Sequence, residues 1–366
     1  MWEVELKRRK PPQSFVTRTT RLRLSERTLD APLCWFTYSL AGGGPRPWEH
    51  FPVDGVMVNA YDIIPRRWRL EMAAGNGLSS YLGFDGPIMV DSGGFLYLRS
   101  PRHPYSATQL LSFYEQVGVD IGVALDCPSP PTLSTAARAR RWEQTFQNLR
   151  LMHENNGHVG LMPVLHGVSL REIDRAADDV KGLYDPTMIG IGSLVPILRC
   201  SKGSAEGLRT VFDIVRRVRE RFPKTFIHAF GVGSVLMART FWLLGVDSLD
   251  SNSWKLKAAY GHILLPGLGE RRPLGVDPKH PRLSTGERAL LAKCRCPVCR
   301  ELGPRKRLKI LDASFKSRAI HNAWVVQQDA LQFRRDLQKR QAWNLTLELL
   351  DKSHRYRPYI EALEGG

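Results

Sequence analysis

The sequence predicts an α/β protein whose core is a (β/α)8 TIM barrel, and three observations carry that prediction. Short apolar segments recur eight times, at residues 33–39, 55–60, 86–91, 120–126, 160–166, 188–193, 225–231 and 246–250. Stretches with helical spacing of apolar residues lie between them, at 107–116, 136–154, 170–181, 204–221 and 236–244. Such alternation builds parallel βα units, and eight units close a barrel. Third, Asp91, Asp126, His166, Ser193, Gly231 and Asp250 all fall at the carboxyl ends of their segments. In a barrel those ends form one rim, where active sites are built. A doubly wound open sheet is the alternative, but no Gly-x-Gly-x-x-Gly follows the first strand, as a dinucleotide site would require.

Composition bounds the function. With 366 residues, 43% of them hydrophobic, the chain can bury one large core, and wholesale disorder is excluded. No apolar run approaches the roughly 18 residues of a membrane span. The start, Met-Trp-Glu-Val-Glu-Leu-Lys-Arg-Arg-Lys, has charge where a secretory signal needs apolar residues, so a cytoplasmic protein is expected. Lysine and arginine outnumber acids 53 to 36, a net charge of +17, which points to a polyanionic partner, most simply nucleic acid.

Taken in order, residues 1–32 read as a basic, irregular lead-in with Pro11 and Pro12, and 33–261 as the catalytic barrel. The stretch over 88–95, Ile-Met-Val-Asp-Ser-Gly-Gly-Phe, suits a buried strand ending in an acid. Its two glycines let a flat ligand approach the backbone, and Phe95 offers a face for stacking. Residues 262–293 are rich in Gly, Pro and charge and read as irregular, within a small zinc-binding subdomain over 262–322. From 317 to about 350 the pattern is helical, and the segment 323–366 is expected to complete the barrel. Between Cys294 and Pro358 there are 15 basic against 6 acidic residues, including Arg334, Arg335, Lys339 and Arg340, which suggests a phosphate-binding surface.

Cys294-x-Cys296-x-x-Cys299 places three thiols in one knuckle, the pattern of a metal site rather than of disulfides. Structural Zn²⁺ takes four ligands in a tetrahedron and is well served by Cys₃His. His321 is the expected fourth ligand, with His280 the competitor.

In this order the motifs resemble the tRNA-guanine transglycosylase family, from about Leu33 to His321. Asp-Ser-Gly-Gly-Phe at 91–95 is similar to a family motif, and Asp126, in Leu-Asp-Cys-Pro, to its base-recognising acid. Ile-Gly-Ser-Leu-Val-Pro at 191–196 and Phe-Gly-Val-Gly at 230–233 resemble two base-pocket motifs. Leu-Asp-Ser-Asn-Ser-Trp at 249–254 resembles the nucleophile segment, and Cys-x-Cys-x-x-Cys followed by His the zinc signature. The resemblance implies a pentosyltransferase that exchanges guanine for a 7-deazaguanine base without breaking the polynucleotide. It makes Asp250 the covalent nucleophile and Asp91 the acid and base. Asp126, Gly192, Ser193 and Gly231 would bind the base edge, Phe95 and Phe230 would stack on it, and His166 would donate to O6. His166 and Leu96 both stand where the family usually has Gln.

The segment after Asp250 resembles the archaeal-type branch, whose tRNA enzymes carry further RNA-binding domains, and this sequence stops at Gly366. The expectation is therefore a DNA-modifying (DpdA-type) guanine transglycosylase that inserts 7-cyano-7-deazaguanine, with a helper protein to open the duplex and a homodimer as accompanying expectations. A tRNA-guanine transglycosylase is the alternative, and a non-catalytic nucleic-acid-binding homologue the reading from another class.

Overall fold

The computed structural model describes residues 19–24, 27–98, 103–202, 204–275, 282–352 and 356–364, except the side chains of Leu96 and Tyr97. The expectations attached to Leu96 and His280 fall outside these described positions. At the centre are eight parallel strands: β1 (Leu33–Thr37), β2 (Val56–Asn59), β3 (Ile88–Asp91), β4 (Ile121–Val123), β5 (Leu161–Met162 and Val164–Leu165), β6 (Met188–Ile191), β7 (Phe226–Ala229) and β8 (Ser248–Ser251). Each predicted segment holds one of them, except that β8 runs one residue past its segment to Ser251. Pro163 divides β5, because proline has no N–H to give to a ladder. The first half of β5 pairs with β4 and the second with β6, while β8 pairs with β1. The ladder therefore begins and ends on one segment, and the sheet curls into a barrel.

Side chains alternate along each strand, and that alternation fixes the two layers of the barrel interior. Trp35, Met57, Met89, Ile121, Val123, Met162, Val164, Met188 and Phe226 fill the lower layer. Two residues further along their strands come Thr37, Asn59, Asp91, His166 and, on β7, His228. The outward set, such as Val56, Val58, Ile88 and Val90, packs under the helices. Apolar packing below forces the polar inward positions to the carboxyl-end rim.

The lead-in is not irregular throughout. Thr20–Arg23 and Thr28–Ala31 form an antiparallel hairpin, and its Leu22, Leu29 and Ala31 join the lower barrel layer. The hairpin plugs the amino-end mouth. Its sequence is too short and polar to show this, because only every second residue is buried. Residues 1–18 lie outside the described part.

The helices Ala107–Val117, Thr135–Glu154, Leu170–Leu183, Ala205–Arg221 and Val235–Leu243 match the periodic stretches. Ser106, Ser134, Ser169 and Ser204 cap four of them through side-chain acceptors. Between β1 and β2 there is only a one-turn helix, Pro47–Glu49. Helix Phe315–Gln338 packs against β1, that turn and the helix Ser253–Ala259 that follows β8. Its Trp324 meets Phe51 edge to face at 5.2 Å, and Arg334 and Gln327 bond Asp54. The expected single helical run from 317 to 350 is two helices, broken at Arg340, whose φ is +55°. The region expected to be irregular holds the hairpin Ile263–Leu265 with Gly269–Arg271 and the helix Thr285–Ala292.

Arg239 donates to both carboxylate oxygens of Asp329 at 3.0 Å and to Asp336 at 3.2 Å, and all three residues are buried. This joins helix Val235–Leu243 to helix Phe315–Gln338. Arg239→Ala leaves two acids buried without their cation and is expected to lower the unfolding free energy by about 3–5 kcal/mol. Denaturant titration of the parent and the variant measures it.

Candidate active site and metal centre

A cavity of about 320 Å³ opens at the carboxyl ends of the strands. Asp91, Phe95, Asp126, His166, Gly192, Ser193, Phe230, Gly231 and Asp250 all line it, with Thr37, Met57 and Arg199 among the others. A larger groove of about 900 Å³ runs between helices Ala107–Val117 and Thr135–Glu154, but none of the three rim acids lines it.

The three acids are held in different ways. Asp126 is buried and accepts from Ser92 Oγ at 2.6 Å through Oδ1. Its Oδ2 lies 2.7 Å from His166 Nε2, and His166 Nδ1 lies 2.9 Å from Ser193 Oγ. The amide of Ser129 donates to that same Ser193 oxygen at 2.9 Å. Ser193 adopts φ +63°, a left-handed conformation that costs a non-glycine residue free energy and recurs at functional sites. Two glycines make room. A Cβ at Gly94 would lie 2.1 Å from Asp126 Oδ1, and one at Gly192 would lie 2.2 Å from His166 Cε1.

Asp91 accepts from Asn59 Nδ2 at 2.5 Å. Burial, followed by repulsion from Asp126 and Asp250, pushes its pKa up to about 8. A carboxyl in that range holds a proton at neutral pH and can deliver it. Asp250 is buried, and its Oδ1 accepts from the Gly231 amide at 2.5 Å. The same oxygen lies 3.5 Å from His228 Nε2. Its Oδ2 has no hydrogen-bond partner among the described residues, and Asp250 lines the cavity. Phe95 is 47% exposed, and Phe230 stands edge-on to His228 at 4.4 Å.

Three of the expected base-binding residues already have protein partners for their donors. The Gly192 amide donates to Leu165 O at 2.9 Å within the β5–β6 ladder. The Gly231 amide is given to Asp250. Both nitrogens of His166 have protein partners, so it has none left to give to an O6. Asn59, Ser92, Ser129 and His228 were missed. Asn59 ends β2 as the acids end theirs, and His228 stands two residues before Phe230, so strand-end polarity and period two were available signals.

The metal ligands come from two elements. Cys294 Sγ, Cys296 Sγ and Cys299 Sγ lie 3.5, 3.5 and 3.6 Å from His321 Nδ1. A tetrahedral ion with Zn–S and Zn–N bonds of ordinary length places S and N about 3.6 Å apart. His321 Nε2 lies 3.0 Å from Leu264 O, the kind of outer bond that leaves Nδ1 free as a ligand. Arg307 holds the knuckle from behind, through the carbonyls of Leu291, Cys299 and Leu302. The cluster fits and can bind a metal ion.

The family described as queuine tRNA-ribosyltransferase (TGT) matches residues 15–355, and the chain belongs to that family. Similar proteins include the tRNA-guanine(15) transglycosylase of Pyrococcus abyssi, 27% identical over 83% of this chain and 49% of its own length. That of Methanopyrus kandleri is 26% identical over 82% of this chain and 62% of its own. That of Aeropyrum pernix is 28% identical over 85% and 59%. The chain thus spans about half the length of the Pyrococcus protein. No helix among the described residues is long and apolar enough to cross a membrane.

Because Asp91 holds its proton more tightly in the folded state, its stabilising contribution is complete below about pH 4, the usual carboxylate value, and is lost as pH rises through about 8. Asp91→Asn cannot titrate. Its melting temperature relative to the parent should climb between those limits and level off above them, as thermal melts from pH 5 to 9 would show. Elemental analysis should find one metal ion per chain, and Cys296→Ser or a strong chelator should remove it and lower the melting temperature.

Proposed function

We propose that this protein exchanges a guanine in a polynucleotide for another guanine-type base, through a covalent intermediate on Asp250. The observation that supports this best is three carboxylates around one cavity in three different states of support. Asp250 presents a free Oδ2 to attack C1′ of the target nucleotide. The bond from C1′ to the base nitrogen breaks, its electron pair stays on the base, and the Asp91 carboxyl protonates that nitrogen. The incoming base then returns a proton to Asp91, attacks C1′ and displaces Asp250. Asp126 would accept from N1–H and the 2-amino group, with the Ser193 amide on O6 and Phe95 and Phe230 against the rings. The target nucleotide must leave its stack to reach the cavity.

The polynucleotide best supported is tRNA, because the relatives named above are tRNA-guanine(15) transglycosylases. The DNA substrate that the sequence alone suggested has no such support, nor has the 7-cyano-7-deazaguanine that went with it. The incoming base is taken only as a guanine or 7-deazaguanine. A strand-opening helper and a second copy are not needed for this reading. Exposed Arg305, Lys306 and Lys309 would meet phosphates without reading sequence. Arg334 is not among them, since Asp54 pairs it. We take 33–261 as the catalytic barrel and 262–322 as a subdomain held by structural Zn²⁺, with the helical segment from 323 onward covering the barrel. Four protein ligands leave the ion no open position, so it takes no part in the exchange.

Labelled guanine offered with bulk tRNA and with plasmid DNA tests the reading. Label should enter tRNA; label in DNA alone would replace the substrate, and none in either would overturn the reaction. Asp250→Ala should abolish exchange, and Asp91→Asn should slow it by about 10²–10⁴-fold. The parent rate should fall above about pH 8, as Asp91 loses the proton that the leaving base needs.

A further inference from the structure

His166 and His228 occupy matching positions behind two of the three acids. His166 joins Ser193 Oγ at Nδ1, 2.9 Å, and Asp126 at Nε2, 2.7 Å. His228 joins Ser248 Oγ at Nδ1, 2.8 Å, and its Nε2 lies 3.5 Å from Asp250 Oδ1. Both rings are buried. The His228 Nε2 atom makes no hydrogen bond among the described residues, and a buried nitrogen left so is unfavourable. Asp250 is the acceptor beside it, and catalytic hydrogen bonds are often long before substrate binds.

We infer that His166 and His228 are positioning residues, one behind each of two carboxylates, and that they divide base recognition from glycosyl transfer. The proposal rests on the reaction proposed above. Ser193 Oγ, which also accepts from the Ser129 amide, holds the His166 ring from its Nδ1 side. A carboxylate only accepts, so the Asp126 Oδ2 contact at 2.7 Å assigns a proton to His166 Nε2. Together with Ser92 this fixes the Asp126 carboxylate as an acceptor on both oxygens, the form that suits N1–H and a 2-amino group. On the other side, His228 and the Gly231 amide converge on Asp250 Oδ1 and leave Oδ2 to attack. As that oxygen forms its bond to C1′, charge leaves the carboxylate, and it returns when the second base displaces it. A donor fixed at Oδ1 acts on those two steps and not on binding of the base.

The experiment is a split of kinetic parameters. His166→Ala should raise KM for labelled guanine and weaken guanine binding in calorimetry by about tenfold or more, with kcat within about threefold. His228→Ala should lower kcat by about tenfold or more, with guanine binding within about threefold of the parent. His166→Gln and His228→Gln, whose amides can still donate, should recover much of each loss. Independently of activity, the imidazole ¹⁵N signals of His166 should move in Asp126→Asn, and those of His228 in Asp250→Asn, each without the other. The inference is overturned if both alanine variants change the same parameter, if neither changes one, or if the imidazole signals do not follow their own acid. A parent that exchanges no base would overturn the reaction instead, with guanine binding and the imidazole signals still deciding the roles of the histidines.

Discussion

Three carboxylates converge on one small cavity, and their mutual repulsion is the constraint around which the upper barrel is arranged. Like charges at close range in a low-dielectric site cannot all remain ionised without support. Asp126 receives a serine hydroxyl and an imidazole, and Asp250 a backbone amide. Asp91 has Asn59 and, with its pKa raised to about 8, a proton. Each form of support matches a different chemical task. The acid kept protonated is the one that can give a proton away, and the acid with an unbonded oxygen is the one that can attack. Glycines at 94 and 192 belong to the same arrangement, since a methyl group at either would collide with Asp126 or His166.

Much of this could be read from the chain. The eight strands were legible because each is a short apolar run ended by Gly, Pro or a polar residue, and parallel strands covered on both faces read that way. Asp91, Asp126, His166, Ser193 and Asp250 were legible for a related reason, since in a barrel polar side chains at strand ends have one place to go, whereas Gly192 and Phe230 came only with the family motifs. The cysteine knuckle and His321 were legible by spacing and residue type.

What stayed hidden depends on partners distant in sequence. Nothing local marks Thr20–Arg23 as part of a plug, because Leu22 alone of its four residues is buried. Arg334 reads as a phosphate-binding cation until Asp54, 280 residues away, is found beside it. His166 reads as a base contact until both its nitrogens are seen to be taken. Backbone amides carry no residue signature, so the assignment of Gly192 to the ladder and of Gly231 to Asp250 needed coordinates. Charged and amide groups mislead most, because their roles are set by whatever they meet.

Helix Phe315–Gln338 carries His321 near its beginning and, further along, Asp329 and Asp336, and it covers the gap left by the missing helix between β1 and β2. Gln327 reaches Asp54 across 273 residues of chain. The flank of β1 must therefore wait, during synthesis, for a segment some 273 residues further on to emerge before it is covered. Contacts so remote slow folding and leave apolar surface open meanwhile. The first barrel strand to be made is thus sheltered by a helix that also carries a metal ligand, so the covering of the barrel and the building of the metal centre fall to one late element.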